Sequence, residues 1–148
     1  MNILIIEDNK SKYKNLEDTL NRVVDNPSIT WEQTRNNGLV AIKEHNFIND
    51  NDLEPFDMLI CDNYLPIYDD DWETKPFGQD IVEAVRERFG LTDLSIVMCS
   101  SEDVGEFDYN YKIRYDSSVI MDEMFKMIID DINDKKKTLV LTKNNKVK

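Results

Sequence analysis

Side chains suited to metal and phosphoryl chemistry stand at the ends of the apolar runs in this sequence. Glu7 and Asp8 follow one run, Asp62 follows another, Ser100 ends a third, and Lys112 lies in a fourth. Short continuous apolar runs are typical of buried parallel strands, and binding residues lie beyond the carboxyl ends of such strands. If the runs are neighbouring strands, Glu7, Asp8 and Asp62 meet in one small space.

Carboxylates in so small a space repel one another, and each raises the pKa of the others. A hard divalent cation removes that repulsion, and Mg²⁺ prefers oxygen ligands such as one or two carboxylates with water. A carboxylate beside bound Mg²⁺ can also accept a phosphoryl group, whose spreading charge a lysine and a hydroxyl stabilise. The sequence therefore predicts a Mg²⁺ site in which Asp62 is the acceptor and Ser100 and Lys112 assist.

Strand-like and helix-like patterns alternate along the chain and define the elements that would position these residues. Apolar spacing predicts strands at 3–6, 29–31, 56–61, 94–99 and 109–113, with amphipathic helices following the first, second, third and fifth. The last of these helices is predicted over 119–132. This alternation implies parallel pairing with right-handed crossovers, which defines an α/β fold. Since only 11 residues separate Ser100 from Lys112, a full helix does not fit between the fourth and fifth strands.

The charge distribution divides the chain into an acidic body and a lysine-rich tail. Residues 135–148 hold six lysines and no acid, which leaves 12 basic and 30 acidic side chains, a net charge of −18, in residues 1–134. We interpret 1–134 as the domain and 135–148 as a solvated, frayed tail. The acidic body argues against a DNA partner, because phosphate contacts require Lys and Arg. The short apolar runs and the absence of a secretory signal predict a cytoplasmic protein without a membrane span.

Three stretches resemble the receiver domains of two-component response regulators. Residues 3–9 (ILIIEDN) are similar to the first strand and acidic pair of that family. Residues 57–66 (DMLICDNYLP) are similar to its phosphoacceptor strand with the Leu-Pro that follows. Residues 96–101 (IVMCSS) are similar to the strand that ends in the switch Ser or Thr. The resemblance extends from about residue 2 to residue 134.

The resemblance implies a flavodoxin-like, doubly wound sheet of five parallel strands in the order 2-1-3-4-5, with the fourth helix short or absent. It also implies that Asp62 is the phosphoacceptor and that Asp8 and Asp62 bind Mg²⁺ through their carboxylates. Glu7 would act partly through water, and the backbone carbonyl of Tyr64 would be a further ligand.

By the same resemblance, Ser100 would hydrogen-bond the phosphoryl group and Lys112 would pair with it. Three features depart from the family pattern. The acidic loop 67–77 is longer than usual, and its acids would lie near the phosphorylation site and hinder an acidic partner. The fourth helix is missing, and Ile113 stands where the family has proline. The last departure leaves Arg114 as the nearest rival to Lys112.

We expect a stand-alone response regulator that accepts a phosphoryl group from a histidine kinase or a phosphotransfer protein. It would signal through protein contacts, with at most self-catalysed phosphotransfer and dephosphorylation rather than enzyme turnover. The alternative is a pseudo-receiver, in which the same fold binds a protein without phosphorylation. A Mg²⁺-dependent phosphohydrolase is a third hypothesis, disfavoured because no general acid is evident beside Asp62.

Overall fold

The computed structural model describes residues 1–48 and 52–146, with side chains described up to residue 137. Strands and helices alternate along this part of the chain. The strands are β1 (Asn2–Ile6), β2 (Ser28–Glu32), β3 (Met58–Cys61), β4 (Ser95–Ser100) and β5 (Tyr111–Arg114). The helices are α1 (Lys10–Val23), α2 (Arg35–Phe47), α3 (Phe77–Glu83) and α4 (Asp122–Lys146). A π-helical turn at Ala84–Arg88 continues α3.

The strands form one parallel sheet in the order β2-β1-β3-β4-β5, which confirms the predicted fold class and strand order. β1 lies between β2 and β3, and Ile6 at its end is opposite both Glu32 and Cys61. The last residues of β1 and β3 are therefore level with each other. The residues that follow these two strands emerge side by side at one edge of the sheet.

Alternate strand residues face two separate apolar cores. Leu4 and Ile6 of β1 belong to the core that includes residues of α2 and α3, whereas Ile3 and Ile5 belong to the core that includes residues of α1 and α4. These four side chains have no solvent exposure. Helices on both faces explain why the strands appear in the sequence as continuous apolar runs rather than alternating ones.

Among the described residues no helix connects β4 to β5, as the short spacing predicted. The loop 101–110 covers the sheet instead, with Val104 buried in the α2–α3 core and Phe107 packed against it. The buried guanidinium of Arg86 fixes the end of this loop by donating to Asn110 Oδ1 at 2.7 Å. Packing and one buried arginine thus replace the missing helix.

The last helix differs from its predicted limits at both ends. It begins at Asp122 rather than near residue 119, and Val119 and Ile120 before it are exposed. It continues to Lys146 and so includes residue 134, while the division of the chain into a domain and a tail stays a prediction. Within the described residues, no helix combines the length and apolar character needed to cross a membrane.

The predicted insert between β3 and α3 is a loop with a closed base. Leu65 and Lys75 exchange two backbone hydrogen bonds, with N···O distances of 3.0 and 3.2 Å. The Arg35 N–H, at the start of α2, donates to the Pro66 carbonyl at 2.9 Å. Trp72, near the tip, is 95% exposed. The base of the insert is thus fixed to the body, and its tip projects into solvent.

Candidate metal centre

The three acidic residues predicted to converge do so. Glu7 and Asp8 directly follow β1, Asp62 directly follows β3, and each offers a carboxylate oxygen that lies within 4.8 Å of the other two. Glu7 is buried with 2% exposure, whereas Asp8 and Asp62 are partly exposed. The site therefore has one deeply held carboxylate and two that face solvent.

Backbone hydrogen bonds set the positions of these carboxylates. The Asp62 N–H donates to the Ile6 carbonyl at 3.0 Å and continues the β1–β3 ladder by one residue. The Asn9 N–H donates to Glu7 Oε1 at 3.1 Å, and the Asn63 N–H donates to Asp62 Oδ1 at 2.8 Å. The strand register thus places the acids, and the following turns orient them.

Gly78 allows α3 to begin against the site. A Cβ atom at this position would lie 2.4 Å from the Asp62 carbonyl oxygen and 2.6 Å from the Asn63 Cα. Both are backbone atoms of the turn that carries the Asp62 carboxylate, so neither can move without displacing it. A residue without a side chain is required here by close approach.

The electrostatics of the cluster favour an added positive charge. Burial raises the pKa of Glu7 to about 7, with the Lys12 ammonium lowering it and the Asp62 charge raising it. Burial and the Asp62 charge also raise the pKa of Asp8. Like charges in a partly desolvated space disfavour one another's ionised forms. The carboxylates thus lie in a field that a bound cation would relieve.

The sequence reasoning missed Lys12, a buried lysine at the centre of the cluster. Its Nζ lies 2.9 Å from Glu7 Oε2 and 3.4 Å from Asp62 Oδ1, and donates to the Cys99 carbonyl at 2.6 Å. Burial lowers the pKa of this ammonium, but the charges of Glu7 and Asp62 outweigh burial and raise it. The signal was available, because Lys12 lies one turn before Leu16 on the buried stripe of α1.

The structure does not bring Lys112 to this site. Its side chain is 42% exposed, and its Nζ lies 3.9 Å from Asp103 and 3.7 Å from Glu106, both in the loop between β4 and β5. The rival candidate Arg114 is also exposed. Lys112 is opposite Met98, two residues before the end of β4, so it lies back from the strand ends where the acids meet.

Ser100 and Tyr64 lie near the acids in different ways. Ser100 is buried, and its hydroxyl oxygen accepts the Glu102 N–H at 3.4 Å. A cavity of about 570 Å³ opens over Glu7, Asp8 and Asp62, and Tyr64 and Ser101 are among the residues that line it. The neighbouring serine, rather than Ser100 itself, faces this cavity.

Trp31 is a natural reporter of the site. Its indole Nε1–H donates to the Glu7 carbonyl at 2.7 Å, and its ring stacks on Tyr13 with the ring centres 3.9 Å apart. Tyr13 is next to Lys12 in the chain. The indole thus contacts the backbone of one acidic residue and a neighbour of the buried lysine.

The insert reaches the cavity at its closing end. Thr74 is among the residues that line the cavity beside Asp62. The acidic side chain of Asp69 instead faces α2, where its carboxylate accepts the Asn37 side-chain amide at 3.3 Å. The expected crowding of the acceptor by the acids of the insert is therefore not seen for Asp69.

The donor set suits a hard divalent cation. Three carboxylates supply oxygen ligands, and the cavity above them leaves room for water or phosphate oxygens. The nearby thiols of Cys61 and Cys99 are buried, and burial raises the pKa of both, to about 12 for Cys99. Neutral, buried thiols are poor ligands, so the site favours ions such as Mg²⁺ or Mn²⁺.

No family model matches the chain, and no curated protein matches its sequence. Solved response regulators match its structure. A receiver domain protein from Clostridium thermocellum has a TM-score of 0.62 and 18% identity, over 93% of this chain and 98% of that chain. The phosphorylated cyanobacterial phytochrome response regulator RcpA has a TM-score of 0.66 and 14% identity, over 86% and 89%. The Mn²⁺-bound response regulator Rcp1 has a TM-score of 0.62 and 15% identity, over 86% and 90%. The fold of this chain is therefore that of response-regulator receiver domains.

Proposed function

We propose that this chain is a response-regulator receiver that accepts a phosphoryl group on Asp62 with the help of Mg²⁺. The observation that carries the proposal is the convergence of Glu7, Asp8 and Asp62 within 4.8 Å at the carboxyl edge of β1 and β3. Asp62 is the acceptor because it directly follows the central strand β3, lines the cavity and is partly exposed. Glu7 is too deeply buried for this role.

The proposed step is the transfer of a phosphoryl group from an oxygen or nitrogen atom of the donor to the Asp62 carboxylate. A carboxylate oxygen of Asp62 forms a bond to phosphorus while the bond from phosphorus to the donor breaks. The electron pair of the broken bond leaves with the donor atom, which takes up a proton from solvent where its basicity requires one. The product is an aspartyl phosphate with added negative charge at the strand edge.

Asp8 and Asp62 would hold Mg²⁺ through their carboxylates, with Glu7 contributing through water and the Tyr64 carbonyl as a further ligand. When bound, Mg²⁺ would neutralise charge on the acids and on the incoming phosphoryl oxygens. The carboxylate cluster and the open cavity support this assignment. Rcp1, a structural neighbour, is known in a Mn²⁺-bound form, and RcpA in a phosphorylated form.

A histidine kinase or a phosphotransfer protein is the proposed donor, and output is proposed to occur through protein contacts in the cytoplasm. Ser100 would move its hydroxyl from the Glu102 amide toward the phosphoryl group. A shift between two conformations of the loop 101–110 is the expected response. The chain would thus act as a switch rather than as an enzyme that turns over a substrate.

The test is covalent labelling of the intact chain. Incubation with Mg²⁺ and acetyl phosphate is expected to add one phosphoryl group by mass, and Asp62→Asn is expected to abolish the gain. Asp70→Asn is the matched control, because Asp70 is exposed on the insert and its φ of 70° suits asparagine. Labelling that persists in Asp62→Asn, or its absence in the wild type at millimolar Mg²⁺, would reject the proposal.

One observation favours the second candidate, a pseudo-receiver that binds protein without phosphorylation. Lys12 already places a buried ammonium beside Glu7 and Asp62, which neutralises part of the cluster without a metal ion. In this case Mg²⁺ would bind weakly, and Asp62→Asn would leave partner binding intact. The labelling experiment separates the two candidates, because only the first predicts a covalent adduct.

A further inference from the structure

The amine closest to the proposed acceptor comes from a helix rather than from the last strand. Lys12 lies in the first turn of α1, and its side chain runs beneath the acid cluster with 8% exposure. Its Nζ is 3.4 Å from Asp62 Oδ1, so it already lies beside the carboxylate that would carry the phosphoryl group. Lys112 and Arg114 on β5 are exposed.

The three acceptors around Lys12 come from three strand ends. Glu7 follows β1, Asp62 follows β3, and Cys99 is the next-to-last residue of β4. An ammonium has three N–H donors. One donates to the Cys99 carbonyl at 2.6 Å, a second faces Glu7 Oε2 in an ion pair at 2.9 Å without hydrogen-bond alignment, and the third faces the longer 3.4 Å contact with Asp62. That third donor is the one available for a stronger acceptor at Asp62.

We propose that Lys12 is the phosphoryl-binding amine of this receiver and replaces a lysine of β5 in that role. The inference rests on the proposed function and names a further residue of the same site. A phosphoryl group on Asp62 brings new anionic oxygens to the carboxylate that Lys12 already faces. The third N–H of Lys12 then donates to a phosphoryl oxygen, and this charge-assisted bond stabilises the aspartyl phosphate.

The competing role for Lys12 is purely structural, as a fixed counter-ion to Glu7. The two roles differ in what they predict for metal and for phosphoryl binding. A phosphoryl-binding amine competes with Mg²⁺ for the acids but assists the phosphoryl group, so its removal has opposite effects on the two ligands. A structural counter-ion holds the acids in place, so its removal weakens both.

The experiment uses the full chain carrying Trp72→Phe, so that Trp31 is the remaining indole. Mg²⁺ alone and then Mg²⁺ with beryllofluoride, a phosphoryl mimic, are titrated while Trp31 fluorescence is recorded. In Lys12→Met we expect Mg²⁺ affinity to be equal or higher, and beryllofluoride affinity to be at least about tenfold lower, the effect of losing one charge-assisted hydrogen bond. Lys112→Met is the matched control and is expected to change neither affinity.

Chemical rescue keeps the test independent of any folding defect. Alkylation of Lys12→Cys with 2-bromoethylamine restores an amine at nearly the original distance from the backbone. Cys61 and Cys99 are buried and burial raises the pKa of both thiols, so they react slowly in the folded chain. Position 12 lines the cavity beside Asp62, through which the reagent reaches a cysteine placed there. We expect the alkylated variant to regain beryllofluoride binding and the unalkylated variant to lack it.

The outcomes are distinct. Wild-type beryllofluoride affinity in Lys12→Met, a parallel loss of Mg²⁺ and beryllofluoride binding, or a loss in Lys112→Met would overturn the assignment of Lys12. A wild type that binds beryllofluoride and forms the Asp62 adduct while Lys12→Met behaves normally leaves the proposed function intact and rejects only this inference. A wild type that does neither rejects the proposed function and the inference with it.

Discussion

The carboxyl edge of the sheet has two halves that are built differently. At β1 and β3 the strand register places Glu7 and Asp62 level with each other, and the backbone alone brings the acids together. At β4 and β5 a loop replaces a helix, and the lysine of the last strand pairs with that loop. The first half follows from the fold. In the second half, the position of the amine depends on which element carries the lysine that faces Asp62, and here that element is α1 rather than β5.

The difference shows that an ammonium can reach Asp62 from α1 rather than from β5. An ammonium needs only to reach Asp62, and a side chain as long as lysine can do so from more than one element. β1 ends at Ile6, opposite the last residue of β3, and α1 begins four residues later at Lys10. The first turn of α1 therefore lies close to the ends of β1 and β3. The acids have no such freedom, because a shift in strand register would separate them.

The largest effect is expected at Arg86, which supports β4, β5 and the loop between them from the amino ends of the two strands. Its guanidinium donates to the carbonyls of Leu91 and Leu94, each at 2.7 Å, and to Asn110 Oδ1 at 2.7 Å. Arg86→Met keeps the aliphatic volume but leaves these buried acceptors without their donor. We expect a loss of about 3 kcal/mol in the free energy of unfolding, measured by urea denaturation.

The matched control for this change is Arg88→Met, in the same π-helical turn but exposed. It is expected to alter stability by less than about 0.5 kcal/mol. Mg²⁺ affinity of folded Arg86→Met should equal that of the wild type, because Arg86 does not contact the acids. A large fall in Mg²⁺ affinity would show that the two halves are coupled and not separate.

The next effect is expected in the β1–β3 half, at Gly78. Gly78→Ala puts a methyl group 2.4 Å from the Asp62 carbonyl oxygen and 2.6 Å from the Asn63 Cα. Both distances are well inside van der Waals contact, so the backbone of this turn must move. We expect about 2 kcal/mol of destabilisation and a clear loss of Mg²⁺ affinity, because the displaced turn carries the Asp62 carboxylate. Trp31 fluorescence during a Mg²⁺ titration measures the second effect.

Gly105→Ala is the control from the other half. A Cβ atom at Gly105 would meet nothing within 4 Å, and the residue lies in the exposed loop between β4 and β5. Stability and Mg²⁺ affinity are expected to stay at wild-type values. Equal losses for the two alanine variants would mean that close packing against Asp62 is not what Gly78 provides.

A smaller effect is expected from pH through Glu7. Burial first, and then the Asp62 charge, raise its folded pKa to about 7 from 4.5, while Lys12 opposes the rise. The folded state therefore binds this proton more tightly than the unfolded state. Above pH 7 the cost of burying the charged carboxylate is fully present, and it is relieved as pH falls from 7 toward 4.5.

Glu7→Gln removes this dependence. In metal-free buffer the stability of the wild type relative to Glu7→Gln is expected to rise by up to about 2 kcal/mol between pH 7.5 and 5.5. Urea denaturation at the two pH values measures the change, and Glu87→Gln, at an exposed position, supplies the comparison. A difference between wild type and Glu7→Gln that does not vary with pH would contradict the raised pKa.

Much of the β1–β3 half could be predicted from the sequence. Continuous apolar runs identify buried parallel strands, and such strands end at a common edge, so Glu7, Asp8 and Asp62 could be placed together from their positions alone. The spacing between Ser100 and Lys112 was also enough to exclude a helix. These predictions depend on local pattern and on backbone rules, which the sequence displays directly.

The position of the amine could not be predicted in the same way. Lys112 has the expected place in the order of the chain, but its side chain reaches Asp103 and Glu106 across an unusually short connection. The position of Lys12 one turn before Leu16 indicates the buried face of α1, but its contact with the acids is set by tertiary packing, which the sequence pattern does not display. The extent of α4 was missed for a related reason, since helix ends in a polar segment carry little pattern.

The smallest effect is expected from replacing Lys112 or Lys12, and it is a local change in amide hydrogen exchange. These two variants compare the two halves most directly. Lys112 contacts two exposed acids of the loop between β4 and β5, so its replacement removes a tether from that loop without disturbing the core. We expect Lys112→Met to speed amide hydrogen exchange in residues 102–108 and to leave exchange at Asp62 and Asn63 unchanged. Lys12→Met is expected to speed exchange at Asp62 and Asn63 and to leave exchange in residues 102–108 unchanged, because it removes the buried cation beside Asp62. If both variants speed exchange in both places, the edge of the sheet behaves as one unit, and the chemistry at Asp62 depends on β5 after all.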